Sequence, residues 1–340
     1  MMKSRPPSGA ANAKTARARR KSAPAAIVAL VLIFFLSVIF CRKSGEPSNE
    51  PRENAPASQA DLSAAVAVSG RIVFQSDLDG DNEIYLLSGD RVTRLTDNAW
   101  EDRYPRWSPD GRKIAFSANP RGNFDIFVMN ERGEEIFPVT DSPADEVDLA
   151  FSPDGQSLAF SEERKKMVGR VRSLWVADLR STEKRRLVPA FGDSHQLPDF
   201  SPVSRLLAFT GKKAMGWDVF LYDLESREIR GLTQGGKSCR PRFSPDGRRV
   251  AYVSHEADGK GDIWVRDVEG TNPSRVTLRD DAYDYFPSWS PDGEWVVFCS
   301  NFKDKYAHKG DWGLYLVKVS DRSVVLLFDS PGRDVFPDWR

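Results

Sequence analysis

Trp107-Ser108-Pro109-Asp110-Gly111 runs directly into Arg112-Lys113-Ile114-Ala115-Phe116, and this phrase decides the fold. In Ser-Pro-Asp-Gly the proline presets φ for a turn, the aspartate bonds to nearby backbone, and the glycine takes the positive φ that closes a hairpin. The apolar triplet behind it reads as the strand leaving that turn. The phrase returns at Phe151-Ser-Pro-Asp-Gly155, Phe243-Ser-Pro-Asp-Gly247 and Trp289-Ser-Pro-Asp-Gly293, with a decayed copy at Phe200-Ser-Pro-Val-Ser204. Successive copies lie 44, 49, 43 and 46 residues apart. That is close to the about 40–45 residues of a four-stranded propeller blade.

Three further elements keep step with the phrase. The strand after the turn recurs as Leu158-Ala-Phe160, Leu207-Ala-Phe209, Val250-Ala-Tyr252 and Val296-Val-Phe298, and a sixth copy, Ile72-Val-Phe74, has no turn ahead of it. An alternating third element follows, from Glu83-Ile-Tyr85 to Gly313-Leu-Tyr315, and then a short fourth, from Leu95-Thr96 to Leu327-Phe328. At the other end, Phe336-Pro-Asp-Trp339 matches Tyr104-Pro-Arg-Trp107 and Phe286-Pro-Ser-Trp289. The C-terminal strand is therefore expected to complete the blade that begins at Ile72 and close the ring. The fold class is all-β: a six-bladed β-propeller over 70–340, with its Trp and Phe residues packed between blades.

The phrase, with its partners Ile-Ala-Phe and Asp-Ile-Tyr, resembles the WD40-like (PD40) repeat of TolB-type six-bladed propellers. The same repeat occurs in propellers that cover the active site of prolyl-oligopeptidase-like enzymes. The resemblance implies that ligands or partner peptides dock at the mouth of the central channel. TolB-type proteins carry an α/β domain ahead of the propeller, for which residues 44–69 leave no room, so a stand-alone propeller is expected. The resemblance also implies a bacterial cell envelope.

Charge divides the chain. Its 49 Lys+Arg balance 49 Asp+Glu, yet residues 1–43 hold nine bases and no acid, 44–69 net −3, and 70–340 net −6. No bulk positive charge supports nucleic-acid binding. Residues 23–41 are uncharged and rich in Ile, Val, Leu and Phe, long enough to cross a bilayer as a helix. Seven positive charges precede them, which keeps the N-terminus in the cytoplasm and places the propeller in the periplasm or outside. The expected order is a basic cytoplasmic segment 1–22, a transmembrane signal anchor 23–41, a flexible linker 42–69 and the propeller. A cleaved signal peptide and a lipoprotein modified at Cys41 are the alternatives. Cys41, Cys239 and Cys299 are the only cysteines and show no C-x-x-C spacing, which excludes a disulfide scaffold, a Cys/His zinc module and C-x-x-C redox chemistry.

Function is expected in the loops. Those between second and third strands vary most, and Glu162–Arg172 and Asn301–Trp312 are the longest. The loops entering the inner strands are acidic and aromatic, and lie nearest the channel. The candidate ligand-binding residues at the channel mouth are Asp102, Tyr104, Asp148, His195, Arg240, Asp284, Tyr285 and Asp334, with Trp100, Tyr283 and Phe336 nearby. Acidic groups beside flat aromatics suit a cationic peptide, an amine or a metal ion. No cofactor is expected. Asp77, Asp79 and Asp81 imitate a calcium loop, but Asn82 and Ser88 stand where it requires Gly and Glu. Catalytic signatures are absent: there is no G-x-S-x-G elbow, H-E-x-x-H helix, phosphate loop or dinucleotide fingerprint. The first expectation is a membrane-anchored module that binds an envelope protein or peptide. The alternative is a propeller-type lyase or hydrolase acting on extracytoplasmic carbohydrate or peptide, which requires His195, His308 or clustered Asp residues to converge.

Overall fold

Every Ser-Pro-Asp-Gly phrase forms the turn its residues specify. In the first, Gly111 N–H donates to Ser108 O at 2.9 Å, Ser108 Oγ donates to Asp110 Oδ1 at 2.6 Å, and Gly111 sits at φ 67°. The serine hydroxyl holds the carboxyl of Asp110, Asp154, Asp246 and Asp292 below its usual range in all four turns. In the decayed copy, Ser204 Oγ donates to Ser201 Oγ at 2.8 Å, so a serine replaces the aspartate in bracing the bend.

The computed structural model describes residues 70–302 and 312–340, apart from Lys166, Val168, Ala190, Phe191, Asp193 and Met215. These residues form six antiparallel four-stranded sheets. Blade 1 runs in the order Val335–Trp339, Arg71–Ser76, Glu83–Ser88, Arg91–Arg94. Its inner strand comes from the C-terminal end, with Ile72 opposite Trp339 and Val73 opposite Asp338. The ring thus closes as the orphan repeat at Ile72 requires. Among the described residues there is no helix long and apolar enough to cross a membrane. The anchor expected at 23–41, the linker and His308 lie outside the described residues.

The repeated aromatic of the second strand is the main packing unit. Phe74, Phe116, Phe160, Phe209, Tyr252 and Phe298 are all buried. Several stack on an aromatic of the neighbouring third strand: Phe74 on Tyr85 at 5.7 Å and Phe209 on Phe220 at 5.7 Å between ring centroids. A ring of this size removed from such a position costs about 3–5 kcal/mol.

Antiparallel order gives the propeller two distinct faces. The Ser-Pro-Asp-Gly turns lie on one. Loops entering the inner strands share the other with the hairpins between second and third strands, and this is the loop face. The segment 162–172 is not the long loop its sequence suggests. Strands Ser157–Lys165 and Arg170–Asp178 pair up to Arg170–Lys165, leaving four residues at the tip.

Candidate functional site

The inner strands of blades 2 to 6 are Asp102–Trp107, Asp145–Phe151, Ser194–Phe200, Ser238–Phe243 and Asp284–Trp289, and Val335–Trp339 serves blade 1. Each contains one residue in the left-handed region: Tyr104, Asp148, Leu197, Arg240, Phe286 and Phe336, with φ between 55° and 58°. In blades 2 to 6 the register with the second strand shifts at this residue, and blade 1 has a shift in the same strand pair. In five blades the next residue is proline, which has no N–H to give to a ladder. The preceding blade fixes the bend: Gln75 Oε1 accepts from Tyr104 N–H at 3.0 Å, and Thr210 Oγ1 accepts from Arg240 N–H at 2.9 Å. Holding six non-glycine residues in this region costs about 1–3 kcal/mol each.

These six residues form a collar around the channel. Phe286 and Phe336 pack at 3.7 Å between centroids, and Tyr104 stands edge-on to Phe336 at 4.5 Å. The Arg240 guanidinium lies over Phe286 at 4.5 Å and over Tyr285 at 5.0 Å. Blades 5, 6, 1 and 2 thus contribute a continuous arc of one cation and four rings. Burial raises the Tyr104 phenol and pushes Tyr285 up to about 12, so both stay neutral hydroxyls. On the opposite side Asp148 accepts from Arg172 at 2.8 Å.

Two residues further along the inner strands, the channel is closed. Arg106 reaches Asp199 at 2.6 Å and Asp338 at 3.4 Å, while Arg242 reaches the same two carboxylates at 3.3 and 3.7 Å. Asp199 also accepts from Phe243 N–H, and Asp338 from Trp107 N–H, each at 2.8 Å. Burial pushes Asp199 up to about 7 against the opposing charge of Arg106, and raises Asp338 too. The cavity between collar and ion pairs offers about 40 Å³ to solvent, room for a few waters.

The residues expected at the mouth separate by position. Tyr104, Asp148 and Arg240 belong to the collar, and Tyr285 supports it. Asp102, His195, Asp284 and Asp334 stand two residues earlier, where side chains are buried inside the blades, and the collar itself is largely aromatic and cationic. Asp102, Asp284 and Asp334 tie blade to blade through N–H donation to Asn82 O, Gly261 O and Trp312 O at 2.7–2.8 Å. Asn98 donates to the Asp102 carboxylate and Ser330 to that of Asp334. Burial pushes Asp102 up to about 7 and Asp284 up to about 6. His195 lies edge-on to Phe209 at 5.5 Å, and burial, then the charge of Arg186, lowers it to about 4. The bulge explains the displacement. Period-two alternation fails at a left-handed residue, so counting along the strand from the acidic loop gives the wrong inward position.

Leu197, Phe286 and the ring of Arg106, Asp199, Arg242 and Asp338 were not singled out by sequence. The signal was present, since the collar residue precedes the recurrent Pro and the ion pairs follow it. Asp77, Asp79 and Asp81 do not gather as a calcium loop. Asp77 accepts from Arg333 N–H at 2.6 Å, and Asp79 pairs with Arg94 at 3.2 Å and accepts from Tyr85 Oη. Among the described residues no group of three His, Cys, Asp or Glu side chains is placed to hold a metal ion.

Fold and site together define a six-bladed propeller with an aromatic and cationic collar at the mouth of its channel. Residues 168–308 match the PD40 family, the TolB beta propeller domain. The chain is 33% identical over 147 residues to a protein of Agrobacterium fabrum described as uncharacterized, covering 41% of this chain and 49% of that one. It is 27% identical over 231 residues to the Tol-Pal system protein TolB of Francisella tularensis subsp. mediasiatica, covering 65% and 52%. The crystal structure of TolB from Acinetobacter baumannii superposes with a TM-score of 0.67 at 20% identity, over 84% of this chain and 74% of that one. The chain carries a TolB-like β-propeller. It spans about half the length of the curated relatives it matches.

Proposed function

We propose that this chain is a protein- or peptide-binding module of the cell envelope, and that its partner seats on the collar from the loop face. The observation that carries the reading is the ring of six left-handed residues that presents half-buried aromatics and Arg240 above a closed channel. Rigid aromatic and arginine anchors are the side chains that dominate binding energy at interfaces. The Tol-Pal relative, named for an envelope system, supports the location. In this reading residues 1–22 are cytoplasmic, 23–41 anchor the chain in the membrane, 42–69 form the linker, and 70–340 act in the periplasm or outside. Neither a metal nor an organic cofactor takes part in binding.

The test is capture of a partner from envelope extracts by the full-length chain, followed by substitution of the collar. Tyr104→Ala and Phe286→Ala are expected to abolish capture while the protein keeps its fold by circular dichroism. Capture that survives both substitutions would move the site off the channel mouth.

A further inference from the structure

Glu83, just ahead of Ile84-Tyr85 in the third strand of blade 1, meets Asp102, where the inner strand of blade 2 begins. The same two positions hold two acids at two other seams between blades, Asp125 with Glu146 and Asp262 with Asp284. All six residues are 0% exposed. At the remaining seams serine or glycine replaces at least one of the acids. A carboxylate taken out of water needs a base or a full set of hydrogen bonds, or it takes up a proton.

The seam between blades 2 and 3 gives each acid its own base: Arg121 reaches Asp125 at 3.0 Å and Lys184 reaches Glu146 at 2.6 Å. The other two seams share one arginine from the fourth strand. Arg94 reaches Glu83 at 2.8 Å, and Arg275 reaches Asp262 at 2.9 Å. Each is also spent on two further carboxylates, Asp79 and Asp97 for Arg94, Asp258 and Asp280 for Arg275. The acid on the inner strand is left over. Asp102 accepts from Asn98 at 2.7 Å, and its second oxygen has no well-aligned donor. Neither oxygen of Asp284 makes a well-aligned hydrogen bond, although the hydroxyls of Ser300 and Thr277 lie beside it.

Burial, reinforced by the neighbouring acid, holds protons on these pairs. It pushes Asp102 up to about 7 with Glu83 adding to the rise, Asp262 up to about 7 with Asp258 and Asp284 adding, and Asp284 up to about 6 against the charges of Arg279 and Arg275. The Cys299 thiol beside Asp284 is itself pushed up to about 12 by burial and stays neutral. An unfolded aspartate releases its proton near pH 3.9, so the folded chain binds protons that the unfolded chain has lost. The stability this supplies is full below about pH 4 and is lost as pH rises towards 7.

We propose that the seams between blades 1 and 2 and between blades 5 and 6 are proton-operated joints. A proton on the buried carboxyl pair holds the two blades together; its release to solvent leaves two like charges on one shared arginine and loosens the seam. The backbone bonds that cross these seams start at the titrating residues, since Asp102 N–H donates to Asn82 O and Asp284 N–H to Gly261 O, each at 2.7 Å. Tyr104 N–H, two residues on, donates to Gln75 Oε1 of blade 1 at 3.0 Å. A loosened seam therefore reaches the collar, because Tyr104 follows Asp102 and Phe286 follows Asp284 at the same distance along the chain. The joints do not depend on what the collar binds.

The experiment is amide hydrogen exchange of the full-length chain at pH 5.5 and pH 8, each rate divided by the intrinsic rate at that pH. Between the two, the amides of Asp102, Tyr104 and Asp284 are expected to lose about tenfold in protection, the equivalent of one pKa unit. The amides of Glu146 and Asp334, which cross other seams to Phe124 O and Trp312 O, are the controls and should change by less than about twofold. Asp102→Asn keeps the shape of the protonated acid, so protection at its own seam should no longer depend on pH while Asp284 still responds. Asp284→Asn should show the reverse. Protection that is the same at both pH values overturns the proposal. So does a loss shared equally by all five amides, which is a change in global stability, or a pH response that persists at the substituted seam. The parent rates carry the test even where an asparagine variant fails to fold.

Discussion

Removing the Asp199 carboxylate cuts the brace that spans the channel. Asp199 belongs to blade 4 and holds Arg106 of blade 2 at 2.6 Å, Arg242 of blade 5 at 3.3 Å and the Phe243 N–H at 2.8 Å. Alanine there leaves two guanidinium groups facing the single carboxylate of Asp338, and a buried N–H without its acceptor. Breaking a buried ion pair by removing one partner costs about 3–5 kcal/mol. A propeller of about 270 residues unfolds with an entropy of roughly 0.6 kcal/mol per degree, so the melting temperature should fall by about 5–8 °C. The measurement is calorimetric melting of Asp199→Ala at pH 8, above the value of about 7 to which burial raises this group. Because the folded chain binds a proton at Asp199 that the unfolded chain releases near 3.9, the parent gains stability as pH falls from 8 to 5, and the deficit of the alanine variant should widen. Asp199→Asn, which can still accept from Phe243 N–H, should fall between the two. A change below 1 °C for Asp199→Ala at pH 8 would refute the view that the ion pairs brace the ring.

Two further outcomes follow from the same geometry. His195 is lowered to about 4 by burial, against an ordinary value near 6.5. The folded state thus binds fewer protons than the unfolded one, and stability present above pH 6.5 is lost as pH falls towards 4. The loss reaches at most about 3 kcal/mol. Melting curves of His195→Gln against the parent should diverge over that window and run parallel above it; a constant difference would count against a buried neutral imidazole. Truncation after Arg333 removes the strand opposite Ile72 and Val73 and leaves blade 1 with an open edge. Loss of cooperative melting, with aggregation by light scattering, is expected, and a truncated chain melting as before would contradict closure by the C-terminal strand.

The architecture was legible because it is written in local chemistry repeated at one spacing. Ser-Pro-Asp-Gly specifies its own turn, and Ile72-Val-Phe74 lacking a turn pointed to Phe336-Pro-Asp-Trp339 as the missing strand. The site was legible only in part. Tyr104, Asp148 and Arg240 fall in the collar, but Asp102, Asp284 and Asp334 are equally acidic and equally close in sequence, and their side chains are buried between blades. The difference is a bulge at one residue, which depends on hydrogen bonds such as Gln75 to Tyr104 from the neighbouring blade. The ion pairs across the channel join residues 93 and 43 positions apart, and a cross-channel pairing of that kind leaves no trace in local periodicity. Segments 162–172 and 211–217 looked like loops because charged and small residues dominate them, yet their strands stay paired to Lys165–Arg170 and Lys213–Gly216.

The most direct test places a photo-crosslinking residue at Phe286, on the collar, and separately at Asp110, on the Ser-Pro-Asp-Gly face, in the full-length chain exposed to envelope extract. Partner adducts at position 286 and none at 110 are predicted. Adducts at 110 alone, or at both positions equally, would contradict a binding site at the channel mouth.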